Sequence, residues 1–199
     1  MTNRVTQNQL QSQRTLENIR NAIEELLQEK EYDSFTIKDI CSRANIAVGT
    51  FYKYYDSKED VFTDRYHKMD EYFNTEVAQK MTENSLRKNL ILFADCYRKR
   101  ITNINVARQI LKARLSGTSE AAKTRNRPMY EILDHLFEQG QKQNEVRQDI
   151  PFTQCSDQFM ILLRGYSFND CVYGVVDQNE AFHSYLEIWL DGMLIKKKD

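Results

Sequence analysis

The sequence predicts an all-α protein. Apolar residues recur at spacings of three and four residues through most of the chain, and no segment shows the two-residue period of a strand. The 199 residues include only six glycines and two prolines, the residues that most disfavour helices, so long helices can form. With 41% hydrophobic and 29% charged residues, the composition is that of a globular chain large enough to bury a core.

The first predicted helix ends near Glu31, and a short second helix follows it. Thr36 and Asp39 form an approximate capping box for that second helix, which ends near Ala44. Asn45 then tolerates the left-handed backbone conformation that ends a helix sharply. The first helix buries one apolar face, formed by Leu16, Ile19, Ile23, Leu26 and Leu27.

A third short helix is predicted in VGTFYKYY, residues 48–55. Phe51 and Tyr55 lie four residues apart, so they share the face that packs on the second helix. Ala47 precedes this helix and offers no capping side chain. Two short helices joined by a tight turn, the second aromatic and basic, are typical of a helix-turn-helix. The outward face of the third helix carries Thr50, Lys53 and Tyr54.

Ser57 is the predicted N-cap of the next helix, with Glu59 and Asp60 in its first turn. Its apolar stripe consists of Val61, Phe62, Tyr66, Met69, Phe73 and Val77. Longer helices are predicted at 85–102, 105–116, 128–144, 153–174 and 179–196. The pattern predicts two domains, a helix-turn-helix head in residues 1–60 and a helical domain in residues 61–199.

Composition limits where in the cell this protein is expected and which partners it is expected to bind. No apolar run approaches the roughly 18 residues of a membrane span, and no secretory signal is present, so we expect a soluble, cytoplasmic protein. The four cysteines have no metal-binding spacing and are expected to be free, mostly buried thiols, with a redox-sensing role for one of them as the alternative. Net charge is −1, yet residues 36–58 hold four cations against two acids, Lys38, Arg43, Lys53 and Lys58 against Asp39 and Asp56.

The run TIKDICSRANIAVGTFYKYYDSKEDVF resembles the TetR family of one-component bacterial regulators, with the specific match over about residues 14–66. The motifs that carry the resemblance are T-x-x-x-[ILV], G-T-[FL]-Y and S-K-E-x-[LV]-F. The resemblance implies a three-helix DNA-binding head, a ligand-binding C-terminal domain and a homodimer formed by the last two long helices. The sequence departs from the family at Asn45, usually glycine, at Ala47, usually a serine-like cap, and at Cys41, usually alanine.

The resemblance also implies contacts with a double-stranded DNA operator. Thr36 and Lys58 would hold phosphates at helix N-termini. Tyr52 and Tyr54 would contact the DNA backbone, and Val48 either lies in the core or touches a thymine methyl group. The full implied set is Thr36, Lys38, Val48, Gly49, Thr50, Tyr52, Lys53, Tyr54 and Lys58.

Apolar faces in the C-terminal half are either plain core or the lining of a pocket for a largely apolar ligand. Arg164 lies inside an apolar run, where an unpaired charge would be costly. Three roles are open for it: to bind an acidic ligand, to pair with an acid such as Asp170, or to lie at the dimer interface. The other candidate ligand residues are Phe93, Cys96, Tyr97, Tyr130, Leu133, Phe137, Phe159, Met160 and Leu163. The candidate dimer residues are Tyr166, Phe182, Tyr185, Leu186, Trp189 and Met193.

The sequence offers no enzyme signature. His67, His135 and His183 are isolated, and no glycine-rich phosphate loop occurs, so no catalytic residue, metal or cofactor is predicted. The predicted function is a ligand-responsive, sequence-specific DNA-binding regulator, a repressor released from a palindromic operator by a small molecule. Two alternatives remain: a helical dimeric interaction module that no longer binds DNA, and a small helical enzyme whose site is assembled from distant residues.

Overall fold

The structure is a computed structural model that describes residues 7–82, 85–99, 107–108, 111–112, 125–173 and 179–195, without the side chains of 62–67 and 179. Within these ranges the chain forms helices and loops, with one isolated antiparallel bridge between Val146 and Leu194. The all-α prediction is confirmed. The helices are α1 (Gln7–Glu29), α2 (Ile37–Arg43), α3 (Val48–Phe51), α4 (Lys58–Tyr72), α5 (Ala78–Lys80), α6 (Leu86–Arg98), α7 (Pro128–Lys142), α8 (Phe152–Tyr173) and α9 (Asn179–Met193).

The described residues fall into two compact units. The first unit contains residues 7–66 with 107–108 and 111–112, and the second contains 67–82, 85–99, 125–173 and 179–195. Each unit has its own apolar core. The core of the first unit is formed by Ile19, Ala22, Ile23, Leu26, Leu27, Tyr32, Phe35, Ile40, Cys41, Ala44, Phe51, Tyr55 and Val61.

Helix boundaries in the first unit follow the predicted capping chemistry. The Asp39 amide donates to Thr36 Oγ1, and the Thr36 amide donates to Asp39 Oδ2 at 2.7 Å, which completes the capping box of α2. Asn45 has φ 54°, the left-handed conformation predicted for it. Ser57 and Asp60 exchange the same reciprocal pair of bonds at the start of α4.

Two helices in the first unit are shorter than predicted. α1 ends at Glu29, because Tyr32–Ser34 turns as a 3₁₀-helix that places Tyr32 in the core. α3 ends at Phe51 rather than near Tyr55, and the Tyr54 amide bonds the Phe51 carbonyl three residues back. Ala47 provides no side-chain cap, so this one-turn helix is stabilised by backbone bonds and by the burial of Phe51.

The second unit is built on α6 to α9, which agree with the predicted helices to within a few residues. Ser85 caps α6, and Pro128 occupies the first turn of α7. Of the predicted helix 105–116, only four residues are described, and the basic end 196–198 lies outside the described residues. No helix in the described part of the chain is long and apolar enough to span a membrane. Cys41, Cys96, Cys155 and Cys171 are buried and form no disulfide within the described residues.

A π-helical turn, Phe73–Val77, joins α4 to α5. The residues on either side of it, Tyr72 and Ala78, have α-helical backbone angles, so the chain continues as one helix through the turn. Phe73 and Val77 are fully buried, and the turn lies against α7. The predicted apolar stripe therefore reaches the core of the second unit, although its helix is not regular.

Candidate nucleic-acid interface

α3 is fixed to the first unit through its inner face. Phe51 is fully buried, Tyr55 is nearly so, and their ring centroids are 5.7 Å apart. Both side chains belong to the core that α1 and α2 also line. The predicted division of the aromatic residues in VGTFYKYY is therefore correct for these two rings, which hold the short helix in place.

The outer face of α3 is exposed and carries both apolar and basic groups. Val48 is 39% and Tyr52 is 53% exposed, and Lys53 is also exposed. The Tyr52 ring meets the buried Phe51 ring edge-on at 5.6 Å, a contact that favours one orientation of the Tyr52 ring. A Cβ added at Gly49 would meet no atom within 4 Å, which leaves this face open for close approach.

Two residues predicted to point outward are less exposed than expected. Thr50 is half-buried, and Tyr54 is half-buried and packs against the core of the first unit. Tyr54 can therefore offer only part of its side chain to a partner. Thr36 and Lys38, at the start of α2, are both exposed.

Lys58 is directed at the protein rather than at solvent. Its Nζ donates to the Tyr32 carbonyl at 2.7 Å and to the Phe35 carbonyl at 3.0 Å, and it lies 4.0 Å from the centroid of the Tyr32 ring. Burial lowers the pKa of this ammonium group. Two of its three donors are thus used inside the first unit, where Lys58 joins the start of α4 to the turn after α1. A phosphate contact by Lys58 stays a prediction.

A second bond joins the same two segments. The Tyr32 hydroxyl donates to Glu59 Oε1 at 2.7 Å. This bond lowers the pKa of Glu59 below its ordinary value of 4.5, whereas burial, followed by the bond to Glu59, raises the pKa of the Tyr32 phenol. Glu59 is therefore ionised at neutral pH and holds the phenol in place.

The basic face is smaller than the sequence suggested. Arg43 was counted with the cations of the motif, but its guanidinium pairs with Glu29 at 2.7 Å and with Glu25 at 3.2 Å on α1. These carboxylates offset its charge, so Arg43 belongs to the acidic end of α1. Lys38 and Lys53 are also exposed cations of the motif, and they lie away from these two carboxylates in the sequence.

The predicted ligand residues lie together in the core of the second unit. Phe93, Leu133, Phe137, Phe159, Met160 and Leu163 are fully buried, and Cys96 and Tyr130 are nearly so. Tyr97 is half-buried against the same core. Edge-to-face contacts connect Phe93, Phe159 and Phe137 at about 6 Å. The structure therefore brings these side chains into one aromatic cluster.

Of the three roles considered for Arg164, the structure does not show the ion pair with Asp170. Its side chain is exposed, and its guanidinium lies 5.6 Å from the centroid of the Tyr130 ring. Asp170 instead pairs with Arg98 at 3.5 Å, and both of these side chains are largely buried. The proposed pairing of Arg164 with Asp170 was wrong, because the buried side of α8 directs Asp170 toward α6.

The candidate dimer residues differ in how much surface they expose. Phe182, Leu186 and Met193 are buried in the core of the second unit, and Tyr166 nearly so, and a role for them in a dimer stays a prediction. Trp189 is half-buried between Phe159 and Phe137. Of the predicted set, Tyr185 is largely exposed.

Two exposed apolar stripes on α8 and α9 were not predicted. The α8 stripe follows helical spacing through Ile161, Gly165, Phe168 and Val172, and the α9 stripe follows it through Tyr185, Ile188 and Gly192. Ile161 and Ile188 are 67% and 69% exposed. Because apolar residues lie on more than one side of both helices, periodicity alone could not separate the core face from this outer face.

A short helix fixed by two buried rings, preceded by a capped helix and a left-handed turn, defines the class of the first unit as a helix-turn-helix domain. Residues 19–64 match the family of bacterial regulatory proteins called the tetR family. The first unit therefore carries the TetR-family helix-turn-helix domain, which confirms the resemblance found in the sequence. No match was found among curated proteins.

Solved structures with the same fold align with nearly the whole chain. A TetR transcription regulator from Haloarcula marismortui is 16% identical, covers 91% of this chain and 98% of its own, and has a TM-score of 0.72. NalD, the secondary repressor of the MexAB-OprM multidrug efflux pump in Pseudomonas aeruginosa, is 18% identical, with coverage of 94% and 99% and a TM-score of 0.70. FadR from Bacillus subtilis in complex with stearoyl-CoA is 18% identical, with coverage of 88% and 97% and a TM-score of 0.69. The second unit thus has the helical fold of TetR-family regulators.

Proposed function

We propose that this protein is a ligand-responsive, sequence-specific DNA-binding repressor, with residues 1–60 as its DNA-binding head and 61–199 as its ligand-binding and dimerisation domain. The observation that carries the proposal is the outer face of α3. Val48 and Gly49 are exposed there, Tyr52 and Lys53 are exposed in the turn that follows, and Phe51 is buried. The first turn of a recognition helix is the part that meets base edges.

The polar groups around α3 suit the DNA backbone. Lys38 and Lys53 are exposed cations that can neutralise phosphates, and the Thr36 hydroxyl lies at the N-terminus of α2, where phosphates are favoured. Tyr52 can donate its hydroxyl to a phosphate, and Tyr54 and Thr50 can add a polar contact at the edge of the helix. Val48 has a methyl-bearing surface that suits a thymine methyl group.

A repressor of this kind works as a dimer on a palindromic site. Two recognition helices bind successive major grooves about 34–36 Å apart, so the symmetry of the operator mirrors that of the protein. We propose that the two apolar stripes of α8 and α9 form an isologous interface between protomers, since exposed apolar patches of this kind mark association surfaces. A ligand that binds one conformation more tightly than the other then shifts the protein away from DNA.

The ligand we propose is largely apolar. The cluster of Phe93, Phe137 and Phe159 offers aromatic surface and few polar groups, and an apolar molecule would bind by separating some of these side chains. Arg164, exposed beside Tyr130, is available to an acidic group. Long-chain acyl thioesters are the first class to test, because the similar FadR from Bacillus subtilis was solved with stearoyl-CoA.

The test is a selection of bound sequences from a random duplex library at about physiological salt, with protein refolded from denaturant so that no ligand is carried over. We expect enrichment of an inverted repeat whose half-sites are spaced by about 10 base pairs or a multiple of that. Stearoyl-CoA is then added to the complex, and release of the duplex is expected. Retention of the duplex would exclude this ligand class and leave DNA binding intact.

Matched variants test whether the surface around α3 binds DNA. Lys53→Ala is expected to weaken binding to all sequences and to lower the salt slope by about one, and Tyr52→Ala to weaken binding as well. Lys142→Ala, an exposed lysine on α7 of the second unit, serves as the control and should leave affinity unchanged. A folded dimer that enriches no sequence would contradict DNA binding and favour the interaction module instead.

A further inference from the structure

The segment that leads into α2 is held by one side chain of α4. Lys58 is the first residue of α4, and its Nζ donates to the Tyr32 carbonyl at 2.7 Å and to the Phe35 carbonyl at 3.0 Å. The backbone of Phe35 is extended, and this residue joins the 3₁₀-helix to the start of α2. Thr36, the N-cap of α2, follows Phe35 directly. The ammonium group therefore fixes the point at which α2 begins.

Two aromatic rings strengthen this attachment. Lys58 Nζ lies 4.0 Å from the centroid of the Tyr32 ring and 4.8 Å from that of the Phe35 ring. Both rings are buried in the core of the first unit and meet edge-on at 6.1 Å. A cation this close to a ring face is attracted to it, and the attraction grows as the cation loses water. To reach a phosphate, the half-buried Lys58 would have to break these contacts.

The other end of α2 is attached to α1 by a second basic side chain. Arg43, the last residue of α2, pairs with Glu29 at 2.7 Å and with Glu25 at 3.2 Å. The inner face of α2 belongs to the core of the first unit. Both ends of this short helix are therefore fixed by cations that bond to the protein, whereas Lys38, in its first turn, is exposed.

We propose that Lys58 is a positioning residue for DNA binding: it holds the start of α2 so that Lys38 meets a phosphate, and it neutralises no phosphate itself. This role differs from the phosphate contact that the family resemblance implies for Lys58. The observation that carries the proposal is that two of the three donors of this ammonium group bond to backbone carbonyls. The inference rests on the proposed function, in which Lys38 contacts the DNA backbone.

A double-mutant cycle between Lys58 and Lys38 tests the inference on the full chain, with the duplex selected from the random library. Lys58→Met keeps an unbranched side chain and removes the ammonium group. Lys58→Met and Lys38→Ala should each weaken operator binding by about tenfold, the equivalent of one charge-assisted hydrogen bond. Each should lower the salt slope by about one, because both variants lose the phosphate contact of Lys38. The double variant should also lose only about one, since the second change removes no further contact.

The control pair combines Lys58→Met with Lys53→Ala. Lys53 lies in the turn after α3, which is held by the burial of Phe51. These two changes should therefore act independently, and the salt slope should fall by about two in the double variant. Affinity is measured by fluorescence anisotropy well below the unfolding temperature of each variant, and circular dichroism confirms that the variants are folded.

Each outcome of the cycle decides the inference. A salt slope lowered by about two when Lys38 and Lys58 are both replaced would show that Lys58 binds a phosphate of its own, and would overturn the proposal. A folded Lys58→Met variant with wild-type affinity would overturn it as well, because the side chain would then contribute to stability alone. Both results leave the DNA-binding function standing, whereas a wild type that selects no duplex removes both.

If Lys58→Met does not fold, the reactivity of the lysines in the wild type provides the test. Reductive methylation is followed by mass spectrometry with and without the operator duplex. We expect Lys58 to react more slowly than the exposed Lys142 in the absence of DNA, and the duplex to protect Lys38 without slowing Lys58 further. Protection of Lys58 by the duplex, reactivity of Lys58 equal to that of Lys142, or lack of protection at Lys38 would each overturn the inference.

Discussion

Two basic side chains in the head make contacts that their residue type alone would not suggest. Lys58 and Arg43 are basic residues inside a DNA-binding motif, yet one donates to two carbonyls and the other pairs with two carboxylates. Sequence reasoning located the motif correctly but could not see these bonds, because the partners, at Tyr32, Phe35, Glu25 and Glu29, lie 14 to 26 residues away. Capping residues were predictable because their partners are only three residues away.

The bond between Tyr32 and Glu59 gives the head a pH-dependent contribution to stability. The folded-state pKa of Glu59 is lowered, so this contribution is fully present above about pH 4.5 and is lost as pH falls through the lowered pKa. Tyr32→Phe should therefore cost about 1 kcal/mol in the free energy of unfolding at pH 7, and less at pH 4 and below. Urea unfolding over this pH range provides the measurement.

The control for this prediction is Glu59→Gln, which keeps the shape of the side chain and removes the titrating group. In that background the cost of Tyr32→Phe should not depend on pH. A cost that is the same at all pH values in the wild-type background would show that the hydroxyl bond, rather than the charge of Glu59, matters.

At the scale of helices, close packing at one glycine joins α7 to α6. A Cβ at Gly140 would lie 2.6 Å from a methyl group of Leu86 and 2.6 Å from a methyl group of Val146. Leu86 can adjust its flexible end, but Val146 is β-branched and fully buried beside the bridge to Leu194. The close packing of α7 against α6 therefore depends on the absence of a side chain at Gly140.

Gly140→Ala should destabilise the second unit by about 1–2 kcal/mol, because the overpacking cost exceeds the gain in helix propensity. Thermal unfolding followed by circular dichroism tests it. In a Val146→Ala background one of the two clashes is gone, so the added cost of Gly140→Ala should shrink. An equal cost in both backgrounds would indicate that Val146 does not limit the approach of the helices.

Some elements could be predicted from the spacing of apolar residues, and others could not. Long amphipathic helices such as α1 and α7 were predictable, since their apolar periodicity is strong. The π turn was not, because the interval of four residues between Phe73 and Val77 also fits a regular α-helix. On α8 and α9 the spacing predicted helices but not their buried faces, which include Phe182 and Leu186.

At the scale of the whole molecule, the exposed stripes on α8 and α9 predict the oligomeric state. Ile161→Glu and Ile188→Glu each place a charge in the centre of a stripe, where a second protomer would have to bury it. Both variants should sediment as monomers at concentrations where the wild type is a dimer, with helix content unchanged. Sedimentation equilibrium on the full chain tests this.

The matched control is His135→Glu, at an exposed position on α7 away from both stripes, which should remain dimeric. If both isoleucine variants remain dimers, the protomers associate through another surface. Loss of operator binding in the monomeric variants would further link the stripes to DNA recognition, since two half-sites require two heads.

The burial of all four thiols makes the chain convenient for site-specific labelling. Burial raises the pKa of Cys41 and Cys155, so these two thiols present little thiolate at neutral pH. Cys96 and Cys171 are buried as well, which limits the access of thiol-reactive reagents. A cysteine introduced at exposed Ser42 on α2 can then carry a spin label while all four native cysteines stay in place. Distances between two such labels in a dimer would report the separation of the two heads directly, with and without a ligand.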